Sequence, residues 1–201
     1  MPEHQRRILS EHKTEQTGTI VTDSRQHIAL IGFMGAGKSC VAHELTTRYG
    51  RDRVDLDEQI EEKIGKSVSQ IFQQEGERRF RELEFEALSA ALNRPKTTVV
   101  ACGGGTITNP DSLALLRSKA VIVYLHVQAE RALARIDDWT TRPLLTLAGS
   151  TDTVYALAQS RLALYEAAAD FSVNTDKRDI SEVADVVVLK LKEAGYAELL
   201  A

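Results

Sequence analysis

The chain has 201 residues, enough for one domain with its own core and no need of a disulfide or metal staple. Hydrophobic residues make up 43% and charged residues 27%, a balance that excludes wholesale disorder. Against 25 Lys plus Arg stand 29 Asp plus Glu, a net charge of −4 that excludes a general nucleic-acid binder, because neutralising phosphates takes a concentrated basic surface.

Residues 1–26 are polar and weakly patterned, and read as a flexible tail ahead of a single domain over 27–201. The tail has no apolar signal core and carries Glu3, Glu11, Glu15 and Asp23, unlike a secretory or transit peptide. Then the chain alternates. Residues 28–31 form a continuous apolar run ending at Gly32, the pattern of a strand buried on both faces. Residues 38–49 follow as a helix, with Val41, Leu45 and Tyr49 on one side. Val54 and Leu56 bracket Asp55 in a second strand. Helices are predicted over 57–64, 67–74 and 77–92, and a β-branched strand over 97–102. A helix opens at Pro110, with proline in its first turn. A strand over 121–127, helices over 129–136, 151–168 and 181–194, and a last strand over 171–174 complete the order.

Strands alternating with helices imply right-handed crossovers and a five-stranded parallel sheet, an α/β fold covered on both faces. Ligands of such sheets gather beyond the carboxyl ends of the strands. Three polar or glycine clusters occupy those ends here: after Ile31, around Asp55 and after Cys102. No apolar run approaches the roughly 20 residues that span a bilayer, so no membrane partner is expected. The two cysteines, Cys40 and Cys102, lack metal-ligand spacing and point to a reducing, cytoplasmic setting.

The first cluster, Gly32-Phe33-Met34-Gly35-Ala36-Gly37-Lys38-Ser39, fits G-x-x-x-x-G-K-S/T between a strand and a helix. Its glycines let backbone N–H groups converge on phosphate oxygens, and the helix beginning at Lys38 adds a positive dipole end. Lys38 supplies a mobile charge for the β- and γ-phosphates, and the Ser39 hydroxyl can ligate Mg²⁺. Cys40 reads either as helix packing or as a thiol activated by the helix start.

In the second cluster, Asp55 and Asp57 are two apart and would face one side at a strand's end. One could hold Mg²⁺ through water, and the other could hydrogen-bond or deprotonate an acceptor hydroxyl. Alternatively, Asp57 caps the helix that follows. The third cluster, Gly103-Gly104-Gly105, suits close approach of backbone to a ligand at the cost of much conformational entropy. Arg81, Arg142 and Arg161 are candidates for binding a carboxylate or a developing phosphoryl charge.

Taken in order, these signatures resemble the shikimate kinase family over roughly residues 27–192. The phosphate loop with its Phe-Met pair, Asp55-Leu56-Asp57, Gly65 to Phe72 with Gly76-Glu77 and Phe80 to Glu84, Gly103-Gly104-Gly105, Arg142-Pro143-Leu144-Leu145 and Arg161 to Tyr165 carry the likeness. The resemblance implies a P-loop kinase fold of the nucleoside-monophosphate-kinase type. It implies transfer of phosphate from ATP to the shikimate 3-hydroxyl with Mg²⁺, by a chain acting as a monomer.

Residue by residue, the resemblance implies that Asp57 binds the acceptor hydroxyls and serves as base. Arg81 and Arg161 grip the carboxylate, and Gly103, Gly104 and Gly105 touch the ring hydroxyls. Ser39 and Asp55 hold the metal. Gly35, Ala36, Gly37, Lys38, Ser39 and Cys40 surround the phosphates. Arg135 and Arg178 contact adenine. Arg142 is the arginine of a lid near 137–150 and reaches the phosphates. Two departures stand out: Cys102 sits where Ser or Thr is frequent in the family, and Asp179-Ile180 where an Asn-Pro pair can occur. The competing readings are a kinase for another polyol acid, such as gluconate or quinate, and a ligand-binding module without catalysis. The presence of Lys38, Ser39 and Asp57 together argues against the module.

Overall fold

The computed structural model describes residues 25–136 and 150–201. Five strands form one parallel sheet: β1 (His27–Ile31), β2 (Asp52–Asp55), β3 (Thr98–Ala101), β4 (Ala120–His126) and β5 (Phe171–Asn174). Their spatial order is β2-β3-β1-β4-β5. The helices between them are α1 (Lys38–Tyr49), α2 (Leu56–Ile64), α3 (Val68–Leu92), α4 (Pro110–Lys119), α5 (Ala129–Ala134), α6 (Thr151–Ala168) and α7 (Ile180–Glu193). Two short 3₁₀ turns, Thr106–Thr108 and Ala197–Leu200, complete the described elements.

The apolar runs behave as double-faced strands. Every residue of β1 and β3 is buried, and β4 is buried up to His126. α1 packs beside α7, and α3 contacts both α2 and α4. Truncating a fully buried side chain such as Leu30 to alanine costs about 2–5 kcal/mol in such a core.

Register sets the geometry of the site. Leu30 of β1 pairs with Ala101 of β3, and Asp55 of β2 pairs with the same Ala101. Three adjacent strands therefore end at one level, and the segments that leave them, beginning at Gly32, Leu56 and Cys102, emerge side by side.

Several boundaries differ from the sequence reading, for local reasons. β2 stops at Asp55 rather than Leu56, because the Asp55 carboxylate caps α2 by accepting from the N–H groups of Asp57 (3.1 Å) and Glu58 (3.4 Å). Asp57 is thus a helical residue and not the cap, and the two acids are brought together by a strand-to-helix corner rather than by strand alternation. The helices expected over 67–74 and 77–92 meet at Gly76, whose φ of 82° and ψ of 169° break the helical path inside α3. Ser67 opens α3 through a reciprocal bond with Gln70. Packing begins before the expected boundary at 27. The Gln26 N–H donates to the Lys119 carbonyl at 3.0 Å, and the Arg25 guanidinium grips both oxygens of Asp170 at 2.7 Å and meets the Tyr196 hydroxyl.

At the opposite end of the sheet from the glycine clusters lies His27, 1% exposed. Its Nδ1 accepts the Thr98 N–H at 3.3 Å. Burial lowers the His27 pKa, a bond to the Leu92 backbone opposes that shift, and the Lys119 charge adds to it. The folded protein therefore binds fewer protons here than the unfolded chain, whose histidine titrates near about 6.5. The contribution is complete above the unfolded value and lost as pH falls through the lowered folded one. Urea unfolding should show stability decreasing from pH 7.5 to pH 5, and His27→Gln should lose part of that slope.

Candidate active site

The phosphate loop is built by strain-tolerant glycine at a tight crossing. Gly35 adopts φ 74°, and a side chain there would place its Cβ 2.3 Å from the Ala132 carbonyl. α1 starts without a side-chain cap and without an acid in its first turn, so its N–H groups are directed at the loop. The Lys38 Nζ donates to the carbonyls of Gly32 (2.9 Å) and Phe33 (3.0 Å), which hold it inside the loop. The Ser39 hydroxyl donates to Asp55 Oδ2 at 2.5 Å. Asp55 thus divides its two oxygens between the α2 cap and Ser39.

A cavity of about 560 Å³ surrounds this loop, lined by Gly35 to Val41, Arg135, Thr175, Arg178 and Ile180 among others. Arg135 is held there by donation to the Thr175 carbonyl (2.6 Å), the Thr175 hydroxyl (3.1 Å) and the Gly35 carbonyl (3.3 Å). Arg178 donates to the Asn174 carbonyl at 2.7 Å. Asp179, the departure noted in the sequence, has its side chain engaged as the cap of α7. Cys40 is exposed on the cavity, so it does not pack α1 into the core. Cys102 is buried, and burial pushes its thiol pKa far up, helped by the Glu84 charge, so it stays protonated.

A second cavity of about 310 Å³ adjoins the first and shares Met34, Ser39, Asp55, Asp57, Gly103 and Gly104 with it. Its far wall carries Arg81, Glu84, Gly105 and Arg161, with Val68, Phe72 and Phe80 as apolar lining. Arg161 is only 7% exposed, and its guanidinium donates to the Gly104 carbonyl at 3.2 Å. Arg81 pairs with Glu84 at 2.7 Å and Glu77 at 3.0 Å. Burial opposes the charge on Arg81, but these two carboxylates outweigh it and leave its pKa raised.

The structure thus brings together all the expected acceptor residues: Asp57, Arg81, Gly103, Gly104, Gly105 and Arg161. Arg142 lies outside the described residues, as does the expected lid up to 149. Ser150, placed in the lid by the sequence reading, instead caps α6 by accepting from the Thr153 N–H.

Two residues behind the wall lie inside the segments that carry the family likeness but were given no role of their own by the sequence reading. Glu84 is 1% exposed, accepts from the Thr106 hydroxyl at 2.6 Å and holds Arg81. Its signal was present: it falls in the apolar stripe of α3 at Phe80, Leu83, Ala87 and Leu88, where a carboxylate needs partners. Tyr165 is also buried, and its hydroxyl donates to the Gly104 carbonyl. It stands one helical turn from Arg161, a spacing that places both on one face.

The glycine loop is packed as tightly as the phosphate loop. A Cβ on Gly103 would lie 2.2 Å from Glu84 Oε1, and one on Gly105 2.3 Å from an Arg81 nitrogen. Glu84 is enclosed and short, whereas the atoms facing Gly105 are the far end of the long Arg81 side chain. Gly103→Ala should therefore lower the thermal midpoint by roughly 4–8 °C, from about 2 kcal/mol of strain, and Gly105→Ala by less. Melting curves of the two variants decide the order.

Comparison with known proteins bears on this geometry. The family model described as shikimate kinase matches residues 34–192. A shikimate kinase of Xanthomonas axonopodis pv. citri is 37% identical over 165 residues, spanning 82% of this chain and 91% of the relative. One from Dehalococcoides mccartyi is 39% identical over 169 residues, spanning 84% and 95%. Among solved structures, a shikimate kinase from Acinetobacter baumannii in complex with shikimate superposes with a TM-score of 0.81 at 31% identity, covering 86% of this chain and 96% of that one. Deoxyadenosine kinase from M. mycoides shares the fold alone, with a TM-score of 0.55 at 17% identity. A P-loop kinase sheet, a phosphate loop opening on one cavity and two guanidinium groups lining the next agree with these matches, and the chain belongs to the shikimate kinase family.

Proposed function

We propose that this protein transfers the γ-phosphoryl group of ATP to the 3-hydroxyl of shikimate, giving ADP and shikimate 3-phosphate. The observation that carries the reading is the shared wall of the two cavities. Asp57 stands where they meet, with the phosphate loop on one side and Arg81 and Arg161 on the other. A small ring acid held by its carboxylate at the arginines would direct a hydroxyl toward Asp57 and the donor phosphate.

The donor set near Ser39 suits a hard divalent cation. It offers a hydroxyl and one carboxylate oxygen, and no group of three or more His, Cys, Asp or Glu gathers to form a closed cage among the described residues. Mg²⁺ favours such sparse protein ligation, completed by water and phosphate. Ser39 and Asp55 would hold it, and it would supply charge neutralisation between phosphate oxygens.

The chain's own groups account for the rest. Lys38, lodged on the Gly32 and Phe33 carbonyls, would exchange them for the β/γ-phosphate oxygens of a bound nucleotide. Backbone N–H groups of the loop and the start of α1 stabilise the phosphate charge without reorganising. Arg81 and Arg161 bind the acceptor carboxylate, Arg161 with a guanidinium already oriented by Gly104. Asp57 accepts a hydrogen bond from the attacking hydroxyl and takes its proton as the P–O bond forms. The proton ends on the carboxylate, and the leaving oxygen remains on ADP. Arg142, by the family resemblance, would add positive charge at the phosphates. Arg135 and Arg178 border the cavity where the base would lie. The described surface exposes only three large hydrophobic side chains, Leu164, Ile180 and Leu189, in keeping with a monomer.

A coupled assay with ATP, Mg²⁺ and shikimate, run beside gluconate and quinate, tests the assignment. Turnover with shikimate alone is expected, and turnover confined to gluconate would overturn it. Arg161→Ala should raise the shikimate KM about 10- to 100-fold with the ATP KM close to wild type, the weight of hydrogen bonds to a charged group. Asp57→Asn should lower kcat by about 10²-fold or more. Equal damage to both substrates by Arg161→Ala would remove carboxylate recognition as its role.

A further inference from the structure

We propose that Tyr165 is a positioning residue for the phosphoryl acceptor, fixing the Gly104 carbonyl so that the following N–H is presented to the acceptor cavity. The proposal rests on reading that cavity as the shikimate site.

Three consecutive glycines have broad conformational freedom, so a loop made of them needs restraints from its surroundings. Two of the three carbonyls are held locally. The Gly103 carbonyl accepts from the Thr106 N–H (3.2 Å), and the Gly105 carbonyl from the Thr108 N–H (2.9 Å) and hydroxyl (2.6 Å). The Gly104 carbonyl is held by a distant element instead. Its donors are the Tyr165 hydroxyl (2.5 Å) and Arg161 (3.2 Å), both on α6.

The direction of that carbonyl has a consequence across the peptide bond. In a trans peptide the C=O of one residue and the N–H of the next point opposite ways. The Gly104 carbonyl points at Tyr165, which is 1% exposed and lies in the core. The Gly105 N–H is therefore turned away from the core, and Gly105 lines the acceptor cavity. Among the described residues that N–H has no protein acceptor.

The two donors differ in permanence. Arg161 is the side chain assigned to the substrate carboxylate, so its bond to Gly104 is exposed to any shift on binding. Tyr165 has no such freedom. Its ring stacks on Tyr124 with centroids 5.1 Å apart and planes 17° from parallel. Burial raises its hydroxyl pKa, with the neighbouring Arg161 charge opposing, so the group remains a donor at working pH. Tyr165 keeps the loop in place whether or not Arg161 is engaged.

Tyr165→Phe isolates the hydroxyl. It retains the ring stack and leaves Arg161 as a donor to Gly104, so the fold is preserved. The expected result is a roughly tenfold fall in kcat/KM for shikimate, the equivalent of about one hydrogen bond, carried mainly by the shikimate KM. The ATP KM should stay close to wild type. A lower melting temperature with kcat/KM for shikimate unchanged would reduce Tyr165 to a core residue and overturn the proposal, as would equal rises in both KM values. Wild-type protein that fails to phosphorylate shikimate would overturn the underlying reading, and the wild-type assay reports that separately from the variant.

Discussion

The parallel register of β2, β3 and β1 is the constraint on which the site depends. Asp55 and Leu30 pair with the same residue of β3, so three chain segments leave the sheet at one height. A one-residue slip of a strand would turn its side chains to the other face and separate the segments that follow. Burial on both faces makes such a slip costly, because every residue of β1 and β3 is buried. The hydrophobic core thus does more than stabilise the molecule. It brings the phosphate loop, the acidic corner and the glycine loop to the same crevice.

Within the crevice, charge is arranged by pairing rather than by exposure. Asp55 serves at once as helix cap and as partner of Ser39. Glu84 lies buried between Arg81 and Thr106, and it links the helix that carries the guanidinium to the turn that follows the glycines. A buried carboxylate without partners would be expensive, so the position requires both contacts. On the other side, α6 contributes Arg161 and Tyr165 to one carbonyl of the glycine loop. The loop is clamped between α3 and α6, and its lack of side chains is what lets both clamps come close.

Much of this was legible in the chain itself. The phosphate loop has a fixed spacing because each of its residue types answers a local need, and such needs survive without tertiary context. The succession of strands and helices along the chain and the placement of glycines and acids at strand ends followed from alternation and hydrophobic runs. The Asp55–Asp57 pair was found for a reason that does not hold: the acids meet at a corner between strand and helix, not on one strand face. Sequence periodicity could not foresee this, because a cap competes with strand extension on the strength of two backbone bonds. Glu84 and Tyr165 fall within the matching segments but received no role, because charge and aromaticity on a helix are common, and neither reveals its partner.

By itself, the sequence determined the fold class, the phosphate-binding loop and most of the candidate acceptor residues, since these are written in short-range patterns and in the family's ordered motifs. Only the tertiary structure decided what holds each arginine in place and that the two cavities share a wall at Asp57. Those are relations between elements tens of residues apart. They are set by register, burial and shape complementarity, quantities that no local stretch of chain contains.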